Sequence, residues 1–346
     1  MDARLAATVL IAAFLAGCGG GKSESTFKPQ PPPARAVGPS ESPANTAGVA
    51  AGARAARRGP YVGISDQDPS TFGDARFTAL GMRYARLITP WNSIFTEPDR
   101  LDGWLQAAKA AAITPLVAFN HARGDQCPGR PCKLPSVAQY RAAFKAFYAK
   151  YPWVRSYQPW NEANHQSQPT GKNPKRAAQF YNVVRTTCHG CTITAADVLD
   201  ATNLKRWLGT FNKYASGKPR LWGLHNYTDT NRFRSTGTKT MLKLVKGQLW
   251  LTETGGIVAF TTSSGKIALR HDEKRARKAI DFLFRLARTS KRITRVYVYQ
   301  WRKTQTGDRF DAGLVAPDDT PRPSLAALRR QLGLPPVNLD LPSGSG

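Results

Sequence analysis

The stretch YQPWNEANH, residues Tyr157–His165, decides how the rest of the chain is interpreted. Two aromatic residues, Tyr157 and Trp160, are of the type that buried strands contain, but they lead directly into Asn161 and Glu162. A carboxylate at the end of a buried strand is unfavourable unless it is paired or takes part in chemistry. The remainder of the sequence has to show which of the two applies to Glu162.

Seven further runs share the apolar, β-branched and aromatic composition of this stretch. Most of them are almost continuously apolar, which is typical of parallel strands that are covered on both faces. The sequence therefore predicts eight strands: Tyr61–Ser65, Tyr84–Thr89, Pro115–Asn120, Arg155–Glu162, Thr192–Val198, Leu221–Tyr227, Leu249–Glu253 and Arg295–Trp301.

Segments with helical spacing separate these runs. Val137, Tyr140, Phe144 and Phe147, for example, recur at intervals that place them on one helix face. Strands that alternate with helices in this way predict an α/β chain whose single catalytic domain, residues 59–338, is a (β/α)8 TIM barrel. A doubly wound sheet uses the same alternation, but the loop after the first strand lacks the G-x-G-x-x-G pattern that would support it.

Polar and aromatic residues collect where the predicted strands end. Enzymes with this fold build their sites at the C-terminal ends of the barrel strands. The residues at or near those ends are Ser65, Asp66, Arg86, Trp91, His121, Asn161, Glu162, His225, Tyr227, Glu253 and Trp301. Because the N-terminal ends carry no comparable set, the pattern predicts a functional site on one face of the barrel.

Two of these residues, Glu162 and Glu253, suit the paired carboxyl chemistry of glycosidases. The fourth and seventh strands lie on different sides of a barrel mouth, so the two carboxyls can face each other across it. Such pairs are about 5–5.5 Å apart in retaining enzymes and about 6.5–9.5 Å apart in inverting ones. A nearby cation lowers the pKa of a carboxyl, which makes Arg86 a candidate to keep Glu253 ionised.

Substrate contacts are expected from seven residues: Arg86, Asn161, His225, Tyr227, Trp301, Trp91 and His121. Asn161 is placed to bind a sugar hydroxyl, Tyr227 to donate to Glu253, and His225 to contact either Glu253 or the substrate. The tryptophans offer flat faces for sugar rings. Trp160 stays open between such a role and a place in the core, because neighbouring strand residues face opposite sides.

The segments WNEAN and LWLTETGG resemble the ends of strands four and seven in clan A of the glycoside hydrolases, and the chain is most similar to family 39-like or related catalytic-core proteins. The resemblance implies a (β/α)8 barrel in which Glu162 is the acid/base and Glu253 the nucleophile, with retention of configuration. It also matches Arg86 to the clan's strand-two arginine. His225 and Tyr227 match its strand-six pair, and Trp301 its strand-eight tryptophan.

Other polar residues are expected to have structural roles. Asp197 and Asp200 suit loop or capping positions, since short acidic side chains bind nearby backbone groups. His165 and His189 are expected at the surface. Arg86 itself stays open between the site and a plain barrel ion pair.

The N-terminus has the features of an export signal. An apolar run too short to span a bilayer follows Arg4, and Leu15–Cys18 resembles the lipobox of bacterial lipoproteins. We therefore expect a lipoprotein signal peptide at residues 1–17, lipidation of Cys18, a Pro-, Gly-, Ala- and Ser-rich linker to residue 58, and a flexible tail at residues 339–346. An ordinary secretory signal is the alternative, and either leader predicts an extracytoplasmic protein.

Four cysteines remain after Cys18, and an even number in an exported protein indicates disulfides. The simplest pairing joins Cys127 to Cys132 and Cys188 to Cys191, with a zinc site as the less favoured alternative. The formal charge of +27 favours acidic partners. Nucleic acid is disfavoured, because the chain has no basic tail and no zinc-finger or P-loop spacing.

The sequence thus favours a monomeric, lipid-anchored retaining glycoside hydrolase that needs no metal or cofactor. Its substrate would be a carbohydrate, and its basic charge would suit an anionic one. The alternative is a non-catalytic barrel lipoprotein that binds carbohydrate at the cell wall through its tryptophans and basic surface.

Overall fold

The computed structural model describes residues 59–303 and 309–336. The strands in these ranges are β1 (Tyr61–Ser65), β2 (Tyr84–Pro90), β3 (Thr114–Asn120), β4 (Ser156–Gln158), β5 (Thr192–Ile193), β6 (Asp197–Leu199), β7 (Leu221–His225), β8 (Gln248–Thr254), β9 (Ala259–Thr261), β10 (Ile267–Leu269), β11 (Ile293–Tyr299) and β12 (Phe310–Asp311). Signal peptide, Cys18, linker and tail lie outside the described residues.

The helices alternate with the larger strands. A 3-10 helix at Pro69–Gly73 precedes α1 (Ala75–Thr78), and the others are α2 (Ser93–Thr96), α3 (Pro98–Ala110), α4 (Val137–Lys150), α5 (Pro174–Thr187), α6 (Leu204–Tyr214), α7 (Tyr227–Asn231), α8 (Thr236–Leu244), α9 (Glu273–Ala287) and α10 (Pro323–Gln331). None of the helices in the described ranges combines the length and the apolar content that a membrane span needs.

Nine strands form one parallel sheet in the order β5-β4-β3-β2-β1-β11-β8-β7-β6. Its two ends, β5 and β6, are halves of a single segment. Within that segment the N–H of Thr194 donates to the carbonyl of Tyr157 at 3.0 Å, whereas the N–H of Ala195 donates to the carbonyl of Leu221 at 2.9 Å. The segment therefore links β4 to β7 and closes an eight-position ring, which confirms the predicted (β/α)8 barrel.

Two predicted strands are shorter than expected. The fourth strand ends at Gln158 rather than Glu162, because Pro159 has no N–H to donate to a ladder. The sixth ends at His225, and Tyr227 instead begins α7. Irregular backbone therefore carries both Glu162 and Tyr227 beyond the ends of the regular sheet.

An unpredicted three-stranded sheet, in the order β10-β9-β12, lies beyond β8. It contributes Phe260 and Phe310 to a small apolar cluster that also contains Tyr227 and Tyr299. The ring of Phe310 meets that of Tyr227 edge-on at 5.4 Å. The added sheet thus supports the tyrosine side chain that follows β7.

Both predicted disulfides are present. Cys127 is bonded to Cys132, with their Cα atoms 4.9 Å apart, and Cys188 is bonded to Cys191, with their Cα atoms 5.6 Å apart. The local pairing is therefore confirmed in place of a four-cysteine zinc site. Each bond closes a short loop, so its expected stabilisation is modest.

At the N-terminal end of the barrel, aromatic rings surround the guanidinium of Arg295. The guanidinium carbon of Arg295 lies 3.9 Å from the ring centroid of Tyr84 and 4.0 Å from that of Trp250. Its Nη1 also donates to the hydroxyl of Tyr297 at 3.1 Å. Arg295 thus connects β11 to β2 through Tyr84 and to β8 through Trp250. These contacts lie at the end of the barrel opposite the predicted site.

The Arg295→Ala variant should lower the free energy of unfolding by roughly 2 kcal/mol, because it removes two partly desolvated cation–π contacts. Urea unfolding followed by tryptophan fluorescence would measure the loss. Arg270→Ala, at an exposed position outside the barrel, provides the control and should change stability little. Equal stabilities of the two variants would contradict this role for Arg295.

Candidate active site

Arg86 lies at the centre of the site and is fully buried in β2. Each of its five N–H groups has a different acceptor. Nε donates to Oε1 of Gln158. The remaining four bonds run from Nη1 to Ser65 Oγ at 3.1 Å and Glu253 Oε2 at 2.6 Å, and from Nη2 to Asn161 Oδ1 at 2.6 Å and Asp197 Oδ2 at 2.9 Å. The guanidinium thus has no free donor.

Glu162 is held in position by backbone bonds on both of its sides. The N–H of Asn161 donates to the carbonyl of Phe119 at 2.6 Å, and the N–H of Ala163 donates to the carbonyl of Asp197 at 2.8 Å. Between them Glu162 adopts a φ of 46°, in the left-handed region that residues other than glycine seldom occupy. The neighbouring strands thus impose a strained conformation that directs this buried carboxyl.

Glu253 faces Glu162 from the end of β8. One oxygen of each carboxyl and one nitrogen of His225 all lie within 4.8 Å of one another. Oε2 of Glu253 accepts from Arg86, and its Oε1 accepts from the hydroxyl of Tyr227 at 3.2 Å. The structure therefore brings together six predicted residues: Glu162, Glu253, Arg86, Asn161, His225 and Tyr227.

His225 bridges two carboxylates. Its Nδ1 lies 3.2 Å from Glu162 Oε1, and its Nε2 lies 3.0 Å from Asp197 Oδ2. Burial by itself lowers the pKa of His225, but the attraction of Asp197 and Glu253 outweighs it and raises the pKa to about 10. Carboxylate oxygens face both ring nitrogens and favour the imidazolium, and Nη2 of Arg86 also lies 3.3 Å from Nε2.

The carboxyls respond to this charge in different ways. Burial raises the pKa of Asp197, but His225 and Arg86 more than offset this and lower the pKa to about 2. Burial raises the pKa of Glu253 above its ordinary value, while His225 and Arg86 oppose the rise and Glu162 adds to it. Arg86 thus acts in the expected direction on Glu253, but the net lowering of its pKa expected from the sequence does not occur, because desolvation is larger.

Glu162, His225 and Glu253 also have the residue types and the spacing of a metal site. A metal needs the neutral imidazole, because a protonated ring nitrogen has no lone pair to donate. The raised pKa of His225 and the adjacent Arg86 therefore disfavour a divalent cation at this position near neutral pH. The donor set fits a proton-transfer site better than a metal centre.

Three predicted contact residues lie outside this cluster. Trp301 is 1% exposed, meets Phe77 edge-on at 5.5 Å and donates from its indole nitrogen to Asp74 at 3.1 Å. It therefore has no free face for a sugar, and the predicted stacking role is corrected to a core role. Trp91 is half-buried against the main core, and His121 contacts the carbonyl of Ala122 at 3.0 Å.

Trp160, left open by the sequence, is a core residue. It is 2% exposed and stacks on Phe180, with the ring centroids 5.0 Å apart. His189 is exposed as expected, but His165 is 3% exposed and its Nδ1 contacts Ser167 Oγ at 2.6 Å. The prediction that His165 lies at the surface was wrong, because Ala163 and Asn164 hydrogen-bond to β6 and hold this segment against the barrel.

Sequence reasoning missed two residues of the site. Gln158 binds Arg86 from β4, and Asp197 binds both Arg86 and His225 from β6. The loop or capping role predicted for Asp197 was wrong. Asp200, in contrast, accepts the backbone N–H of Asp229 at 3.1 Å, as a capping residue does. In the sequence, both positions could have been recognised as a polar residue within an apolar run.

Comparisons with known proteins yield structural similarity only. No protein-family model matches the chain, and no curated protein sequence does. Among solved structures, a family 39 glycoside hydrolase from Bacteroides cellulosilyticus WH2 superposes with a TM-score of 0.56 at 15% identity, over 80% of this chain and 64% of that one. This chain thus spans less than two thirds of the length of that enzyme.

Two other matches cover more of their own chains. GH5_18 from Streptomyces cattleya, in complex with GlcNAc, gives a TM-score of 0.57 at 14% identity over 80% of each chain. Xylanase 10B from Thermotoga petrophila RKU-1, in complex with xylobiose, gives a TM-score of 0.57 at 11% identity over 80% of this chain and 95% of that one. At these identities the similarity establishes the barrel fold alone.

The charge on His225 predicts a pH-dependent stability. Because folding raises its pKa from about 6.5 to about 10, His225 stabilises the fold fully below pH 6.5 and loses this contribution as the pH rises towards 10. The difference in unfolding free energy between the wild type and His225→Gln should therefore shrink, by an amount on the order of a few kcal/mol, between pH 6.5 and 10. Urea titrations at several pH values would measure it, and a constant difference would show that the imidazole is neutral.

Proposed function

We propose that this protein is a retaining glycoside hydrolase that cleaves O-glycosidic bonds of a poly- or oligosaccharide. The observation that carries the proposal is the facing pair Glu162 and Glu253, whose nearest ligand atoms lie within 4.8 Å of each other at the barrel mouth. This separation fits direct attack by one carboxylate on the sugar. One pair of carboxyl oxygens this close favours the arrangement of retaining enzymes, whose carboxyl groups are about 5–5.5 Å apart, over the gap of about 6.5–9.5 Å in inverting enzymes.

The contacts of the two glutamates suit different roles. Both oxygens of Glu253 accept hydrogen bonds, one from Arg86 and one from Tyr227, and these bonds stabilise the anion that a nucleophile requires. In Glu162, Oε1 lies 3.2 Å from His225 Nδ1, whereas Oε2 lies 4.0 Å from His165 Nδ1. Oε2 is therefore the oxygen available to protonate the leaving group and then to deprotonate water.

Charge balance supports the same assignment. Arg86 and His225 supply two buried positive charges, and Asp197 supplies one negative charge. Buried clusters favour neutrality, so one of the two glutamates is ionised and the other holds a proton. The direct ion pair with Arg86 at 2.6 Å favours ionised Glu253 as the nucleophile, which leaves Glu162 for proton transfer.

The reaction follows in two steps. Ionised Glu253 attacks the anomeric carbon while Glu162 transfers its proton to the departing oxygen, which gives a glycosyl ester on Glu253. Glu162, now a carboxylate, removes a proton from water as the water attacks the same carbon, and Glu253 leaves. Asn161, fixed by Arg86, keeps its amide nitrogen available for a sugar hydroxyl.

Of the two alternatives, a purely carbohydrate-binding barrel has less support. That interpretation relied on tryptophan faces, and the structure buries Trp160 and Trp301 in the core. A binding protein would also have no need for six polar and charged side chains brought together in the barrel interior, since buried charges are unfavourable unless they are used or well paired.

We also propose that Cys18 carries a lipid that anchors the protein to the extracytoplasmic face of a membrane, with the linker as a spacer. The lipobox-like sequence Leu15–Cys18 supports this. Cys18→Ala should move the protein from the membrane fraction to the soluble fraction of its host, as measured by immunoblotting. Unchanged membrane association would contradict the anchor, and Ser25→Ala in the linker provides the control.

The catalytic assignment predicts different defects for the two glutamates. Glu253→Gln should reduce hydrolysis of every cleaved glycoside by at least about 10³-fold, because no ester can form. Glu162→Gln should lose about 10²- to 10⁴-fold on alkyl or sugar leaving groups. It should keep much of the first step on aryl glycosides with acidic leaving groups, because these need no protonation.

Initial rates on a panel of chromogenic and natural glycosides would measure these effects, and proton NMR of the first-formed product would give its anomeric configuration. Asp99→Asn, an exposed substitution on α3, provides the control. Normal activity of Glu253→Gln, or an inverted product, would overturn the mechanism.

A further inference from the structure

A small pocket lies at the C-terminal ends of β1, β2 and β3. Its cavity volume is about 30 Å³, which is room for one small polar group such as a carboxylate. Leu87, Leu101 and Trp104 line it with apolar surface. Its polar lining comes from Gln67, Glu97, Arg100 and Arg123. We call this cavity the side pocket.

Two polar atoms of the side pocket are buried without a hydrogen-bond partner. They are the amide nitrogen Nε2 of Gln67, a donor, and the carboxylate oxygen Oε1 of Glu97, an acceptor. The other oxygen of Glu97 is paired with Arg123. The two atoms present one donor and one acceptor to the side pocket, and they suit a ligand with an acceptor for Gln67 and a donor for Glu97.

Positive charge at the side pocket exceeds negative charge. Arg123 is matched by Glu97, whereas Arg100 is exposed on α3 and forms no ion pair within the part of the chain that the structure describes. An unpaired guanidinium beside an apolar surface attracts an anion, and its planar fork fits a carboxylate through two hydrogen bonds. The acceptor group of the ligand is therefore best supplied by a carboxylate.

The chain links the side pocket to the residues around the glutamates. Gln67 follows Ser65 by two residues, and Ser65 Oγ accepts from Arg86, which binds Glu253. Consecutive Cα atoms are about 3.8 Å apart, so the Cα atoms of Ser65 and Gln67 are at most about 8 Å apart. The side pocket and the glutamates therefore belong to the same end of the barrel, as a subsite of an extended glycan requires.

We propose that the side pocket is a subsite for a uronate unit of an acidic glycan. The carboxylate would accept from Gln67 Nε2 and Arg100, and the hydroxyl next to it on the ring would donate to Glu97 Oε1. This places the substrate in the class of uronate-containing polysaccharides and rests on the proposed glycosidase function. The net charge of +27 favours the approach of such polyanions.

The test is calorimetric binding to the full-length Glu253→Gln protein, so that no probe is hydrolysed. The probes are tri-glucuronate and tri-galacturonate, each compared with the uncharged glucose or galactose oligomer of the same linkage. We expect at least one uronate to bind about tenfold or more tightly than its uncharged counterpart. Adding Arg100→Gln or Gln67→Leu should remove this preference, whereas the exposed substitution Arg270→Gln should preserve it.

Equal binding of charged and uncharged oligomers, or a uronate preference that survives both pocket substitutions, would overturn the subsite. Circular dichroism spectra would verify that each variant is folded, and the exposed position of Arg100 makes its variant the decisive one. Failure of the subsite is separable from failure of the enzyme. Glu253-dependent hydrolysis of neutral glycans without uronate preference refutes only the subsite, and pocket-dependent uronate binding without hydrolysis by the wild type refutes only the proposed activity.

Discussion

The structure depends on the burial of one guanidinium. Arg86 donates five hydrogen bonds, and their acceptors come from β1, from β4 and the residues just after it, from β6 and from β8. A buried guanidinium is tolerated only when its donors are all satisfied and its charge is matched. The same bonds fix Glu253 and Asn161 at the barrel mouth. The side-chain bonds that connect these strands through Arg86 are therefore the same bonds that position the site.

That requirement also explains how two chemically identical side chains take different roles. Arg86 contacts Glu253 directly but reaches Glu162 only through His225 and Asp197. The stronger electrostatic field of the guanidinium at Glu253 favours its anion, whereas Glu162 faces an imidazolium that Asp197 already neutralises in part. In the proposed mechanism, the asymmetry of the cluster, rather than the residue type, decides which carboxyl attacks and which transfers a proton.

The fold could be predicted from the sequence because each barrel strand is an apolar run that ends in a polar residue. The positions of Glu162 and Glu253 followed from that rule. The rule failed for Asp197. The fifth predicted strand is divided into β5, which pairs with β4, and β6, which pairs with β7, so that Asp197 lies on β6 and points into the barrel instead of lying in a loop. It failed for Trp301 because period-two alternation alone does not say which face of an ending strand meets the core. Side-chain direction at strand ends depends on tertiary contacts.

Glu162 has a strained left-handed backbone at the position where the proposed mechanism needs a carboxyl. A glycine would adopt this conformation without strain, but it would remove the carboxyl that the proposed proton transfer requires. The strain, of order 1–3 kcal/mol for such a conformation, is held by the bonds that Asn161 and Ala163 make to β3 and to Asp197. Those bonds belong to the same network that Arg86 organises. The carboxyl that ends the YQPWNE stretch is thus held in place by the neighbouring strands, and the strained turn is the physical reason that it faces Glu253 instead of the core.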